Sequence, residues 1–434
     1  MIMERKNRAV VGWIMYDWAN SAFALTVLAA FFPVFFKKYW CAGMAAPFTT
    51  TKLGIGNAVA GALIALMSPL LGALADAGRM RKASLVCFML LGSILTALFP
   101  LIGQGQWQFA LALFVLANFG WACANLFYDS LLPVVAGDDR IDFVSSLGFS
   151  IGYLGCAVLF ALNILMVSKP ALFGLRDAAQ AVKVSFLTVS AWWMVFSVPL
   201  MLFVHEDGGG GGKSIAAIIV DGARQLKRTI RDIIGMRHIR LFLIAYWLYI
   251  DGVDTFIRMA ADLGLSIGLD AGALMVSLLI VQIVAFPAAL AFGFLARRIG
   301  VRACIFIGIG IYIFITIVGP LWVHTSFQYR VMAALSALPL GCLQALSRSY
   351  FARIIPADRS AEFFGFYNLM GKFAAIVGPA IVAIVSYLVE SRGFSSSLAA
   401  RLGFCSITAL FISGAVMLMA AGRAGGRSRE VINL

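Results

Sequence analysis

HEDGGGGGKSIAAIIVDGARQLKRTIRDIIGMRH, residues 205–238, is the one long polar interval in an otherwise apolar chain, and it splits that chain in two. Asp207 followed by Gly208 to Gly212 is a flexible linker by composition. After it, Ile215, Ile218, Ile219, Leu226, Ile230 and Ile233 recur at helical spacing, opposite Arg224, Lys227, Arg228 and Arg231. That pattern predicts a basic amphipathic helix on the inner membrane surface. The run GGGGGKS is no phosphate-binding loop, because Asp207 stands where G-x-x-x-x-G-K-S requires glycine and no strand precedes it.

Outward from this interval the chain is membrane-spanning. Hydrophobic residues make up 62% of 434 and charged residues 12%, too apolar for a water-soluble fold. A crossing takes roughly 20 apolar residues, and twelve runs qualify: 12–36, 53–75, 83–102, 107–133, 142–166, 182–204, 239–260, 271–296, 301–323, 329–351, 362–387 and 398–421. The expected fold is therefore an all-α membrane protein of twelve helices. An N-terminal bundle of six (1–205) and a C-terminal bundle of six (239–434) flank the linker (206–238). The run from Trp13 to Phe36 is too long for a signal peptide and reads as a retained first helix. Segments facing the side of the termini hold 22 basic residues and those facing the other side 10, which predicts both termini in the cytoplasm of a cell with the protein in its inner (plasma) membrane. The same asymmetry accounts for the net charge of +14 without nucleic acid. Trp13, Trp18, Trp40, Trp107 and Trp322 lie near predicted helix ends, as an aromatic belt would. Seven cysteines, six of them inside apolar runs, and three scattered histidines predict neither a disulfide framework nor a metal site.

The turn GALADAGRMRK (Gly72 to Lys82) is weakly repeated as GFLARRIGVR (Gly293 to Arg302), one in each half. Such paired halves with basic turns resemble the major facilitator superfamily, whose loop motif G-x-x-x-D-R-x-G-R-R is matched by Gly72, Asp76, Arg79 and Arg81. Three further stretches, YDWANSAF (Tyr16 to Phe23), NLFYDSLLP (Asn125 to Pro133) and Leu343 to Pro379 with LQALSRSYFARIIP and EFFGFYNLMGKFAAIVGP, resemble the vacuole-effluxer-like family. That family comprises autophagy-related amino-acid effluxers and bacterial relatives. The resemblance implies export of amino acids by alternating access.

Ionisable residues within a span cost several kcal/mol unless paired or facing water, so they are the functional candidates. They are Asp17, Asp129, Asp251, Asp254, Arg348 and Lys372. Four acids and two bases leave two carboxylates over, and Asp17, Asp251 and Asp254 are the proton-coupling candidates; Asp17 and Asp129 near the inner ends are equally compatible with simple exposure to water. Asp129 and Arg348, on equivalent fourth and tenth helices, suggest a gate ion pair. Lys372, deep beside Asn368, suits a substrate carboxylate, or else pairs internally with Asp251 or Asp254. Tyr16, Asn20, Asp251, Gln282, Gln344, Tyr367, Asn368 and Lys372 form the expected substrate set, with helix packing the alternative for Asn20. Gly148, Gly152 and Gly155 make a small-residue face for close helix approach. The expected function is a secondary transporter, without cofactor, whose partners are a small polar solute, membrane lipid and protons. A drug or siderophore exporter is the alternative, and a receptor or membrane-embedded enzyme the alternative from another class.

Overall fold

A computed structural model describes residues 2–137, 139–206, 215–266, 268–373 and 377–432. The glycine linker expected at 207–212 lies outside the described residues. Eleven helices among them are long and apolar enough to span a membrane, or twelve when the bent pair Val220–Gly235 and Arg237–Leu265, at 89°, counts as one. The six spans of the first half are Lys6–Trp40, Pro47–Gly78, Arg81–Leu101, Trp107–Ala136, Ile141–Ser168 and Ala178–Phe203. After the linker helix Ile215–Gly235, the seventh span is Arg237–Ser266. Gly272–Ile299, Val301–Trp322, Ser326–Ile354, Ala357–Glu390 and Ser396–Ala424 complete the twelve. No apolar run of the sequence extends more than one residue beyond the helix it matches, and residues 374–376 of the eleventh run lie outside the described residues. The face carrying the linker helix and both chain ends is called the linker side below.

Local chemistry sets the span ends. The sixth span is capped by Asp177, whose carboxylate accepts from the Gln180 N–H at 2.7 Å, and the eighth by Asp270 on Ala273 N–H at 2.6 Å. The tenth begins in a reciprocal capping box between Thr325 and Gln328. Both repeated turns contain a left-handed or positive-φ residue: Arg79 at φ 51° after the second span, Gly300 at φ 87° after the eighth. Arg79 tolerates that conformation because its N–H closes on the Asp76 carbonyl and Met80 N–H on that of Ala75.

The aromatic belt expected from sequence is corrected at two positions. Trp13 and Trp40 are wholly buried. Trp13 stacks on Tyr128 at 4.3 Å and donates its indole N–H to the Tyr128 carbonyl at 3.0 Å. Trp40 sits among Phe32, Phe35, Phe99 and Phe186. Position along a span does not say which way a ring faces; Trp322, 40% exposed, does fit the belt. The first span also widens into π-helical turns over Phe23–Phe31 and Phe36–Trp40, which lets its phenylalanines fan into the core.

The halves are sealed against each other on the linker side. A Cβ on Gly72 would lie 2.3 Å from the Ala361 carbonyl oxygen, and one on Gly365 2.7 Å from that of Ser68, so the second and eleventh spans touch backbone to backbone. The fifth span meets the tenth through Ser145 Oγ donating to the Ala345 carbonyl at 2.7 Å, and the eighth through Ser150 Oγ on that of Phe286 at 2.7 Å. Because overpacking at such a contact costs about 1–3 kcal/mol, Gly72→Leu is expected to force this side open. The measurement is maleimide modification of a cysteine placed at the buried Ser68, followed by mass spectrometry. Faster modification in the Gly72→Leu background is expected; equal rates in both backgrounds contradict a tight seal.

Candidate functional site

Arg348 is the junction of the two halves. It reaches from the tenth span into the first half, 3% exposed, and uses its donors there. Nη1 pairs with Asp129 Oδ1 at 3.1 Å and Nη2 with Asp17 Oδ2 at 3.3 Å. Nε donates to Ser145 Oγ and Nη2 to the Ser145 carbonyl, each at 3.0 Å. The guanidinium plane is covered by Trp13 at 4.7 Å and Phe149 at 4.2 Å. Tyr128 donates its hydroxyl to the same Asp17 oxygen at 2.7 Å. The Asp129–Arg348 pairing expected from sequence is thus present in the geometry, with Asp17 as a third member. Two carboxylates share one guanidinium, so the fully ionised cluster carries one surplus negative charge.

A second lock is built from the loop motif. Asp76 accepts from Arg81 Nε at 2.5 Å and from the Ala361 and Glu362 N–H groups at 3.3 and 2.8 Å. It therefore caps the start of the eleventh span from the opposite half. Arg81 Nη2 completes the bridge on the Ala357 and Asp358 carbonyls at 3.2 and 2.6 Å. On the same side, Arg353 pairs with Asp142.

The remaining candidates separate into distinct surroundings. Asp251, 1% exposed, accepts from the Gly378 N–H at 3.0 and 3.1 Å and from Thr255 Oγ1 at 3.2 Å, capping the second segment of the eleventh span. Asp254 has Lys372 and Arg258 as its electrostatic neighbours, and Lys372 has Asp254 and Arg258 as the charges acting on it. The Lys372 ammonium lies 5.8 Å from the centre of the Trp121 ring in the first half. Trp121 in turn donates to the Asn20 carbonyl at 3.3 Å. Asn20 Nδ2 and Asn368 Nδ2 are buried without a hydrogen-bond partner among the described residues. Tyr16 packs on Tyr128 at 4.9 Å. Gln344 accepts from Tyr153 at 2.9 Å, and Gln282 accepts a weak bond from Cys156 at 3.5 Å. Tyr367 stacks between Tyr246 at 3.9 Å and Phe351 at 5.1 Å. Sequence reading missed Trp121, Ser145 and Tyr153. A period of three to four from Trp121 through Asn125 to Tyr128 was the available signal for the first.

The charge count makes the cluster asymmetric. Removing Arg348 leaves two buried carboxylates uncompensated, whereas removing either acid leaves a neutral pair. Arg348→Met is expected to cost about 3–5 kcal/mol and either Asp17→Asn or Asp129→Asn clearly less. Adding both Asn substitutions to Arg348→Met should recover much of the loss. Thermal unfolding of the native protein and these four variants checks this; equal losses for arginine and aspartate variants contradict the shared guanidinium.

Residues 48–428 match the family model described as vacuole effluxer Atg22 like. An uncharacterized MFS-type transporter of Bacillus subtilis (strain 168), YxiO, is 33% identical over 419 residues, covering 96% of this chain and 95% of that one. Autophagy-related protein 22 of Coccidioides immitis (strain RS) is 22% identical over 503 residues, covering 88% and 82%. Among solved structures, the human organic anion transporter MFSD10 superposes with a TM-score of 0.70 at 15% identity over 95% of this chain and 99% of that one. The proton:xylose symporter XylE does so at 0.67 and 11%, over 95% and 94%. These two establish the fold alone, a major facilitator bundle. The chain belongs to the Atg22-like vacuole effluxer family and is a major-facilitator-type membrane transporter, not an enzyme.

Proposed function

We propose that this transporter exports a small zwitterionic solute of the amino-acid kind, by rocking its two six-span halves (1–205 and 239–434) about the central contact. The observation that carries the reading is Lys372. Its ammonium lies over the Trp121 indole of the other half, with Asp254 as the acid acting on it and the unpartnered Asn368 donor about one helical turn earlier in the chain. Lys372 and Arg258 share the single acid Asp254, so the group carries one surplus positive charge and calls for a further anion. A substrate carboxylate supplies one, and Asp254 then answers the substrate ammonium. The Gly378 N–H and Thr255 Oγ1 donors at Asp251 favour a positioning role for it at the eleventh span over that one.

In this arrangement the linker side is shut, and the excess of basic residues on that side supports placing it in the cytoplasm, with the protein in the plasma membrane. Opening it requires Arg348 to leave Asp17 and Asp129. A proton taken up by the surplus carboxylate neutralises the cluster without breaking it, whereas losing Arg348 exposes two charges. That coupling gives the proton a route into the cycle, with Asp17 and Asp129 as the coupling acids in preference to Asp251. Alanine serves as the test solute class because it presents both charges and little else.

Lys372→Met is expected to weaken binding of the transported zwitterion by roughly ten- to a hundredfold, the value of a charge-assisted contact of about 1.5–3 kcal/mol. Asp254→Asn should weaken it similarly, and Asp251→Asn should lower the melting temperature instead. Calorimetric titration against a panel of amino acids, with melting curves of each variant, reads both quantities. A Lys372→Met protein that binds at full strength, or one whose stability is restored by adding Asp254→Asn without any loss of binding, contradicts the proposal.

A further inference from the structure

The linker helix is not simply laid on lipid. It docks on the protein: a Cβ on Gly222 would lie 2.7 Å from Leu74 of the second span. Gln225 Nε2 donates to Glu362 of the eleventh span at 3.1 Å, and Asp232 pairs with Arg359 at 2.7 Å. Between this helix, the turn after the second span and the loop before the eleventh lies a cavity of about 800 Å³. Its walls therefore come from the first half, the linker and the second half at once.

Five arginines line it: Arg79, Arg81, Arg224, Arg228 and Arg359. Four acids line it too, but three are committed elsewhere. Asp76 holds Arg81 and two N–H groups, Glu206 accepts the N–H groups of Arg81 and Lys82 at 3.3 and 3.1 Å, and Asp221 has a partner of its own. Arg79, Arg224 and Arg228, by contrast, are exposed and make no side-chain hydrogen bond or ion pair among the described residues. Arg359 spends Nη1 on Asp232 and Nε on Glu362, yet its Nη2 is buried with no acceptor. Guanidinium forks from three separate elements, one of them with an unanswered buried donor, suit an anion with several oxygens in fixed geometry.

We propose that this cavity is a binding site for a phosphate-bearing anion, either the headgroup of an acidic phospholipid or a soluble phosphate. Such a ligand joins both halves through the linker helix, so it binds the shut linker side and not the open one. By linkage it acts as a brake on opening. The inference does not depend on which solute is carried. The Asp358 carboxylate, the one lining acid without a partner among the described residues, opposes the anion and sets a sign for the test.

The experiment uses the full chain in nanodiscs of phosphatidylcholine, titrated with inorganic pyrophosphate at constant ionic strength, and in nanodiscs of equal parts phosphatidylcholine and phosphatidylglycerol. A rise in unfolding temperature in at least one arm is expected, with a tenfold or greater loss of pyrophosphate affinity, or loss of the lipid effect, in Arg224→Gln/Arg228→Gln. Asp358→Asn should strengthen the response. A rise with pyrophosphate alone identifies a soluble phosphate, a rise with lipid alone a headgroup, and a rise with both a site open to either. Maleimide modification at Ser68→Cys should slow when the site is filled. No rise in either arm, or a rise of equal size in the double glutamine variant, overturns the site; a rise with unchanged modification overturns the brake.

Discussion

A buried guanidinium that needs two carboxylates from the other half is the constraint on which this architecture turns. Arg348 can be kept in a low-dielectric interior only while Asp17, Asp129 and Ser145 surround it, because each ion removed from water costs several kcal/mol that only its partners offset. The first, fourth, fifth and tenth spans must therefore converge at one depth. Trp13, Tyr128 and Phe149 wall that point off from water and make the pairing stronger than it would be at a surface. In the proposed cycle the same feature would make the contact a switch. A tight apolar seam yields gradually, whereas a shared guanidinium is either in place or absent.

The loop motif works on the other pair of spans by a different kind of interaction. Asp76 satisfies the free N–H groups at the start of the eleventh span, so the second half's helix end is completed by a residue of the first. Glycines at 72 and 365 bring the backbones near enough for that capping. Two independent devices, one a buried ion cluster and one a helix cap, thus hold the linker side shut.

The fold was legible because hydropathy is a one-dimensional signal. Each of the twelve apolar runs marks a helix where it is described, and the described part of the polar interval from Ile215 forms the linker helix. The pairing of Asp129 with Arg348 was legible too, since opposite charges at equivalent depths of equivalent helices have few other uses. What sequence reading left open was azimuth. Whether Asp17 faces water or Arg348, whether Trp13 faces lipid or Tyr128, and whether Asp251 faces a solute or the Gly378 N–H all depend on helix rotation, which no linear pattern of apolar residues specifies when every side of the helix is apolar. Trp121 was invisible for the same reason. The turn at Arg79 is one residue shorter than the loop motif, and its left-handed residue brings Arg81 back onto Asp76.

The account rests on the Arg348 cluster holding the linker-side ends of the halves together. The most direct measurement is a distance distribution between spin labels at Arg140 and Arg298, exposed residues at the linker-side ends of the fifth and eighth spans, in lipid nanodiscs. The account predicts a single short distance in the native protein and a longer population in Arg348→Met that shrinks again when Asp17→Asn and Asp129→Asn are added. Identical distributions in the native and Arg348→Met proteins would contradict it.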